Sequence, residues 1–458
     1  MSTIAARPRT LAELDAWIER EGVRYFKLGL FDVDGVLRGK YVDRRKLRSA
    51  VEKGFGFCDV VLGWDLQDEL YDGASVSGWH TGYRDAPVRL DLSTLRRVPW
   101  EEDTLLLVGQ FAGDYAAVCP RSVLARTLDR AAELGFGVES AFEYEFFLFD
   151  ETPESVREKG YRDLRPATPG MFGYSVLRSS VHAELHHSLI DAMNAFECPL
   201  EGLHTETGPG VLEAAIRHAP GIEAADRAAL FKTFTKVAAQ RAGKMATFMA
   251  KWSNAYPGQS GHLHLSLSDP GTGRNRFHAE GERFEMSETM RHFVAGQVRY
   301  LPELLAMVCS TVNAYRRLVP GLWAPTASNW GVENRTTAIR VIPAGAEGQR
   351  SEYRIAPADA NPYLVLAAAL ASGLAGIEEG LELPDPIAGS AYDRPAPPEL
   401  ALPTSLAEAA RRLADSALAR RAFGDAFVDH YVTTREWEDR AFRRAVSSWD
   451  LERYFELI

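Results

Sequence analysis

The sequence predicts an α+β protein of two or three folded units, and three observations lead there. The chain has 458 residues, against roughly 100–200 residues per domain. Residues 1–112 read as one short helix followed by several strands. From Cys119-Pro120-Arg121 onward, strands and helices interleave with no internal repeat or low-complexity tract. The division expected is a small N-terminal α+β domain over residues 1–112 and a larger domain over 113–458.

The elements follow from spacing and punctuation. Thr10 and Glu13 stand at capping-box distance, and Leu11, Leu14, Trp17 and Ile18 repeat at helical intervals. Strands are expected from Tyr25 to Asp32 and from Val36 to Val42, joined at Asp34-Gly35, a hairpin pair. Ala86–Leu90 and Thr104–Phe111 complete the first unit. Ser122 is placed to cap a helix that runs through Leu134 and ends at Gly135 and Gly137. Further strands are expected at Val138–Phe149, Gly202–Ala214, Ala246–Ala250, Gly261–Leu267, Arg335–Ile342 and Glu352–Ile355. Helices are expected from Ile222 to Ala242 and from Asn361 to Gly380, the latter with Pro362 at its first turn. Pro384–Pro403 is a loop, and Ser405–Ile458 is helical.

Composition removes several function classes. A formal net charge of −11 argues against nucleic-acid binding, which needs clustered Lys and Arg to neutralise phosphates. The longest apolar stretch, Pro362 to Ile377, is too short to span a bilayer. Four widely spaced cysteines, Cys58, Cys119, Cys198 and Cys309, suit reduced thiols. The segment Met1–Arg7 lacks the apolar run of a secretory signal. A cytoplasmic protein with no membrane association is expected.

The chemistry concentrates in polar pairs two residues apart within apolar strands. These are Glu143/Glu145, His262/His264 and Glu352/Arg354. Alternation puts both members of each pair on one sheet face. Alternating polar residues are ordinarily the wet face of a strand. Around Glu143, however, Phe142, Tyr144, Phe146, Phe147, Leu148 and Phe149 read as a strand covered on both faces. Carboxylates there are costly unless paired or bound to metal. Glu206 and Glu213 flank a Gly208-Pro209-Gly210 turn and add two more. Converging carboxylates and a histidine call for cations, and oxygen-rich sites suit Mg²⁺ or Mn²⁺, two or more per site. Arg316, Arg317, Arg335, Arg340, Arg350 and Arg354 fall in one stretch and suit phosphates and carboxylates. Metals, carboxylates and arginines together indicate phosphoryl transfer. No Walker A motif is present, so a nucleotide site would not be a P-loop.

Five segments carry a family resemblance: Glu143–Asp150, Ala246–Lys251, Gly261–Leu267, Asn334–Arg340 and Asn361–Leu364. In this order, across most of the chain, they resemble the signatures of the glutamine synthetase superfamily. The resemblance implies an N-terminal β-grasp domain and a catalytic domain whose antiparallel strands form an open barrel flanked by helices. It implies an ATP-dependent ligase that joins the γ-carboxylate of L-glutamate, or a close analogue, to an amine through a γ-glutamyl phosphate. Carried over by position, Glu145, Glu206 and Glu213 hold metal on the amino-acid side, and Glu143, His262 and Glu352 hold it on the ATP side. Arg317 and Arg354 clamp the amino acid's carboxylates, and the Gly258 backbone meets its amino group. Arg335 stabilises the transferring phosphoryl group. His264, Ser266, Arg340 and Arg350 contact ATP. Asp32 reaches into a neighbouring subunit's site to hold or deprotonate the amine, which requires a ring-shaped homo-oligomer, a dodecamer.

Ammonia-using members carry a glutamate on a flap after Arg317-Leu318-Val319-Pro320-Gly321; here Trp323 stands in its place. An indole cannot act as a base and offers apolar and cation–π surface instead. Here the chain resembles glutamate–putrescine ligases, so the expected partner is an amine larger than ammonia. Val211, Pro257 and Trp252 also replace the family's usual glutamine, asparagine and proline. The competing expectations are a glutamine synthetase using ammonia and a non-catalytic relative. A third is a haloacid-dehalogenase-like phosphatase, read from Phe31-Asp32-Val33-Asp34-Gly35 and the late acidic stretch Gly424–Asp429.

Overall fold

Tyr25–Phe31 (β1) and Leu37–Val42 (β2) pair as an antiparallel hairpin closed by Asp34-Gly35. Gly35 takes φ 80°, a left-handed conformation that suits glycine. Phe55–Cys58 (β3), Asp85–Leu90 (β4), Arg96–Arg97 (β5) and Thr104–Phe111 (β6) complete a six-stranded sheet. Its order is β2-β1-β6-β4-β3, with β5 on β6, and β1 runs parallel to β6. The helix Leu11–Glu21 packs on this sheet through Leu14, Trp17 and Ile18. Thr10 caps it as expected, while Glu13 reaches back to Arg9 N rather than to the cap residue. The computed structural model describes residues 7–394 and 396–458. Met1–Ala6, most of the segment read for a secretory signal, and Pro395 of the proline-rich loop lie outside the described residues.

A second sheet of nine strands carries the polar pairs. Its members are Gly137–Phe149 (β7), Leu200–Thr205 (β8), Val211–Ile216 (β9), Ala219–Pro220 (β10), Met245–Thr247 (β11), Gly261–Ser268 (β12), Trp330–Val332 (β13), Ile339–Ile342 (β14) and Arg350–Tyr353 (β15). The order is β13-β14-β15-β12-β7-β9-β8, with β10 and β11 also on β7. Every ladder is antiparallel except β13–β14. Helices Pro120–Glu133, Ile222–Arg241, Glu288–Val308 and Pro362–Glu379 bury their apolar faces in one continuous core shared with both sheets. Among the described residues no helix is long and apolar enough to cross a membrane, and all four cysteines are free thiols.

The structure differs from the expectations where turns intervene. Gly202–Ala214 is two strands, because Gly208-Pro209-Gly210 closes a hairpin in which Gly210 takes φ 74°. The strand expected from Arg335 begins only at Ile339, since Asn334 Oδ1 accepts from Thr336 N at 3.0 Å and curls the preceding backbone. The helix expected after Ser122 starts at Pro120, with Cys119 at the cap position. Helices Arg44–Lys53, Ala183–Ala195 and Glu288–Val308 were not expected. The last contains Pro302, a residue that disfavours a helix interior and so masks the element in the sequence. The phosphatase reading fails on topology. Asp32 opens a hairpin turn and Asp425–Asp429 lies on the helix Asp425–Arg444, where that fold would need a loop and a strand end.

Candidate active site

Register explains how the polar pairs meet. Glu143 lies opposite His262 across β7–β12, and His264 opposite Glu352 across β12–β15. On the other side of β7, Glu145 lies opposite Glu213 of β9, and Glu213 opposite His204 of β8. Five strands therefore aim their polar residues at one cavity of about 730 Å³. Of the residues expected from sequence, Glu143, Glu145, Glu206, Glu213, Gly258, His262, His264, Trp323, Arg335, Arg340, Arg350, Glu352 and Arg354 line it.

Three expected residues do not. Arg317 is buried beside the cavity, and its guanidinium donates to Ile355 O at 2.9 Å, Ser260 Oγ at 2.9 Å and Arg354 O at 3.2 Å. These bonds occupy the fork that was expected to clamp a carboxylate, so within this chain Arg317 positions Ser260 and Arg354 instead. Ser266 shares the β12 face of His262 and His264 but lies one register step beyond the cavity, opposite Glu139. Asp32 is in the turn between β1 and β2, strands of the other sheet. Its carboxylate accepts from Asp34 N, Val36 N and Arg38 Nε, and burial together with Asp34 pushes it up to about 7.

Two clusters divide the floor. In the first, Glu143, His264 and Glu352 present atoms that all lie within 4.8 Å of one another. His262 stands beside them, with Nδ1 3.3 Å from Glu352 Oε1 and 3.8 Å from Glu143 Oε2. Arg350 Nε donates to His264 Nδ1 at 3.1 Å, which leaves the proton of a neutral His264 on Nε2, 3.2 Å from Glu143 Oε1. His262 has no such donor. Burial and Arg354 push it down to about 4, so its ring is a neutral base. Arg340 and Arg354 both pair with Glu352. Against its burial, His262 and Arg354 hold Glu352 down at about 2.

The second cluster is His204, Glu206 and Glu213, again with all atoms within 4.8 Å, and Glu145 adjoins it. Among the described residues no Lys or Arg forms an ion pair with Glu145, Glu206 or Glu213. Burial, then the charges of Glu145, Glu143, Glu206 and Glu352, push Glu213 up to about 9. The Nε2 atoms of His204 and His262 are buried without a hydrogen-bond partner among the described residues. Crowded carboxylates and orphaned imidazole nitrogens are both deficits that a divalent cation removes, so the residues present fit one in each cluster.

Sequence reasoning missed His204, although His204-Thr205-Glu206 obeys the two-residue spacing that identified the other pairs. It also missed Tyr174, whose ring stacks on His204 at 4.5 Å and 9°. With Phe147, Val211, Leu322 and Trp323, Tyr174 forms the apolar part of the wall. Tyr174 and Trp323 hold φ of 54° and 62°, a conformation uncommon for large residues and concentrated at binding sites.

The comparisons with known proteins bear on this arrangement. Residues 117–454 match the family model "Glutamine synthetase, catalytic domain". A type-1 glutamine synthetase 2 of Dictyostelium discoideum is 45% identical over 95% of this chain and 84% of its own length. A glutamate–isopropylamine ligase of a Pseudomonas species is 37% identical over 96% and 97%. A solved structure described as a GmaS/ADP complex superposes with a TM-score of 0.83 at 26% identity, covering 96% of this chain and 99% of the other. The chain belongs to the glutamine synthetase family.

Proposed function

We propose that this protein is a γ-glutamyl amine ligase, joining the γ-carboxylate of L-glutamate to an amine larger than ammonia at the expense of ATP. The observation that carries the reading is Trp323 on the lining of the cavity, which Tyr174, Phe147 and Leu322 also line. Apolar and aromatic side chains in the same cavity as the carboxylates suit an alkyl or aryl amine, whose cationic form also gains from aromatic faces. The relative named for isopropylamine supports the same substrate class.

In the proposed reaction the γ-carboxylate oxygen attacks the terminal phosphorus of ATP and ADP leaves. The amine nitrogen then attacks the acyl carbon, the bond to phosphate breaks, and the amine's proton passes to a base. Glu143, His262 and Glu352 would hold one divalent ion and Glu145, Glu206 and Glu213 another. When bound, Mg²⁺ or Mn²⁺ neutralises phosphate charge and polarises the transferring group. Arg340, Arg350 and His264 face ATP, and Arg335, which makes no ion pair among the described residues, is free to meet the phosphoryl oxygens. Arg354 and the Gly258 backbone hold the amino acid, with Arg317 bracing Arg354 from behind. Asp32 acts on the amine of a neighbouring subunit's site within a ring, which we take to be a dodecamer. Residues 1–112 form the β-grasp unit and 113–458 the catalytic unit, an open barrel of antiparallel strands. A cytoplasmic location accords with the free thiols.

A second reading, glutamine synthetase using ammonia, is favoured by the 45% identity to a protein of that name. Phosphate release with ATP, Mn²⁺, glutamate and a panel of amines separates the two. The amine reading expects kcat/KM for at least one alkyl, aryl or polyamine to exceed that for ammonium. A higher value for ammonium than for every amine tested would establish the second reading, and no turnover with any of them would leave a non-catalytic relative.

A further inference from the structure

Cross-strand register places His204, Glu213 and Glu145 in one row across β8, β9 and β7, with Glu206 two residues along from His204. Their side chains leave the same sheet face into the same cavity. His204 Nε2 stands 3.6 Å from Glu213 Oε1 and 3.8 Å from Glu206 Oε1. These separations are too long for hydrogen bonds, and the nitrogen is buried with no other partner among the described residues. They suit donors that share an ion. Around an octahedral ion with bonds of ~2.1 Å, adjacent donors stand ~3 Å apart and opposite ones ~4.2 Å. The Tyr174 ring, stacked on His204 at 4.5 Å, fixes the imidazole plane with its edge toward the two carboxylates.

We infer that His204 is a nitrogen ligand of the divalent ion held by Glu206 and Glu213, so that this centre is a mixed imidazole–carboxylate site. The inference rests on the metal reading of that cluster given above. Its consequence is a change in preference: imidazole favours Mn²⁺ and later transition ions over Mg²⁺ more than carboxylate and water do. Tyr174 acts here as a positioning residue, because it touches the ligand's ring.

Calorimetric titration of the full-length apoprotein with Mn²⁺, and separately with Mg²⁺, tests this. Wild type should bind Mn²⁺ at two classes of site. His204→Gln should weaken one of them at least ~10-fold, with a smaller effect on Mg²⁺. Two Mn²⁺ affinities unchanged in His204→Gln would overturn the proposal. Should Glu213→Gln also leave both unchanged, the metal reading beneath it falls as well. If His204→Gln does not fold by circular dichroism, pulsed electron paramagnetic resonance of Mn²⁺ bound to His262→Gln/His264→Gln serves instead. With the other cluster's imidazoles gone, a nitrogen hyperfine coupling supports His204 as the ligand, and its absence rejects it.

Discussion

On the proposed reading, Trp323 is the side chain that directs the choice of amine. In the proposed ligase the carboxylates and arginines activate the γ-carboxylate, and the selection of the amine falls to the wall. Trp323 sits on that wall at φ 62° with over half its surface exposed, ready to be covered by whatever enters. Trp323→Glu should therefore shift selectivity. The ratio of kcat/KM for ammonium to that for the best alkylamine should rise, by about 10-fold or more if ~1–3 kcal/mol of apolar contact is lost. An unchanged ratio in steady-state assays would show that the wall is made elsewhere. Arg317 teaches the opposite lesson. A residue type suited to clamping carboxylates here bonds two backbone carbonyls and a serine hydroxyl.

At the scale of elements, the helix Asp425–Arg444 holds a buried titrating group that does not line the cavity. His430 is buried, neither ring nitrogen has a hydrogen-bond partner among the described residues, and burial pushes it down to about 4. An unfolded histidine titrates near 6.5. Between these values the unfolded chain binds a proton that the fold refuses, so stability rises with pH across the window and is lost as pH falls from about 6.5 toward 4. The full difference is on the order of 3 kcal/mol. His430→Leu should flatten that part of the profile, measured as the change in urea midpoint between pH 7 and pH 4.5. A variant with the wild-type slope would mean that His430 already accepts its proton in the fold. Helix packing is equally exacting elsewhere. A Cβ on Gly376 would come 2.1 Å from His292 O, so glycines set the distance at which Pro362–Glu379 crosses Glu288–Val308.

For the whole molecule, one buried ion-pair network ties the N-terminal sheet to the larger unit. Arg121 meets Asp226 through two bonds of 2.9 Å, reaches Gln110 and Asp91 at 2.7 Å, and shares Asp226 with the Tyr363 hydroxyl at 2.6 Å. Arg121→Met should cost about 3–5 kcal/mol by leaving Asp226 charged and buried, read from denaturant unfolding. A loss below 1 kcal/mol would show the network to be dispensable. The proposed ring makes a second prediction at this scale. Asp32→Asn and Glu213→Gln should each be inactive alone. Subunits unfolded and refolded together in equal amounts should recover about a quarter of wild-type activity, from sites that pair one intact half with another. No recovery in the mixed sample would place Asp32 outside the neighbour's site.

Much of the site was legible because β structure has a period of two. Glu143/Glu145, His262/His264 and Glu352/Arg354 declare a shared face within a few residues of chain, whatever the rest of the fold does. The same period would have found His204, had it been applied to the segment leading into Glu206. The β1–β2 hairpin and the caps of Leu11–Glu21 and Pro362–Glu379 were legible for a similar reason, since their signals lie within one turn of backbone. Other features depend on distant neighbours. The helix Glu288–Val308 carries Pro302 in its interior, which masks it in the sequence although the packed structure accommodates it. The stack of Tyr174 on His204 joins residues thirty positions apart. The occupied fork of Arg317 depends on where two carbonyls happen to lie.

The sequence by itself determined the family's chemistry, that of carboxylates and histidines on alternating strands with arginines to meet phosphate. The tertiary structure alone decided which imidazole faces which carboxylate, because cross-strand register and side-chain stacking are set by packing across the whole sheet. That pairing divides the polar pairs into two clusters, adds His204 to one of them, and leaves Arg317 behind the wall it was expected to line.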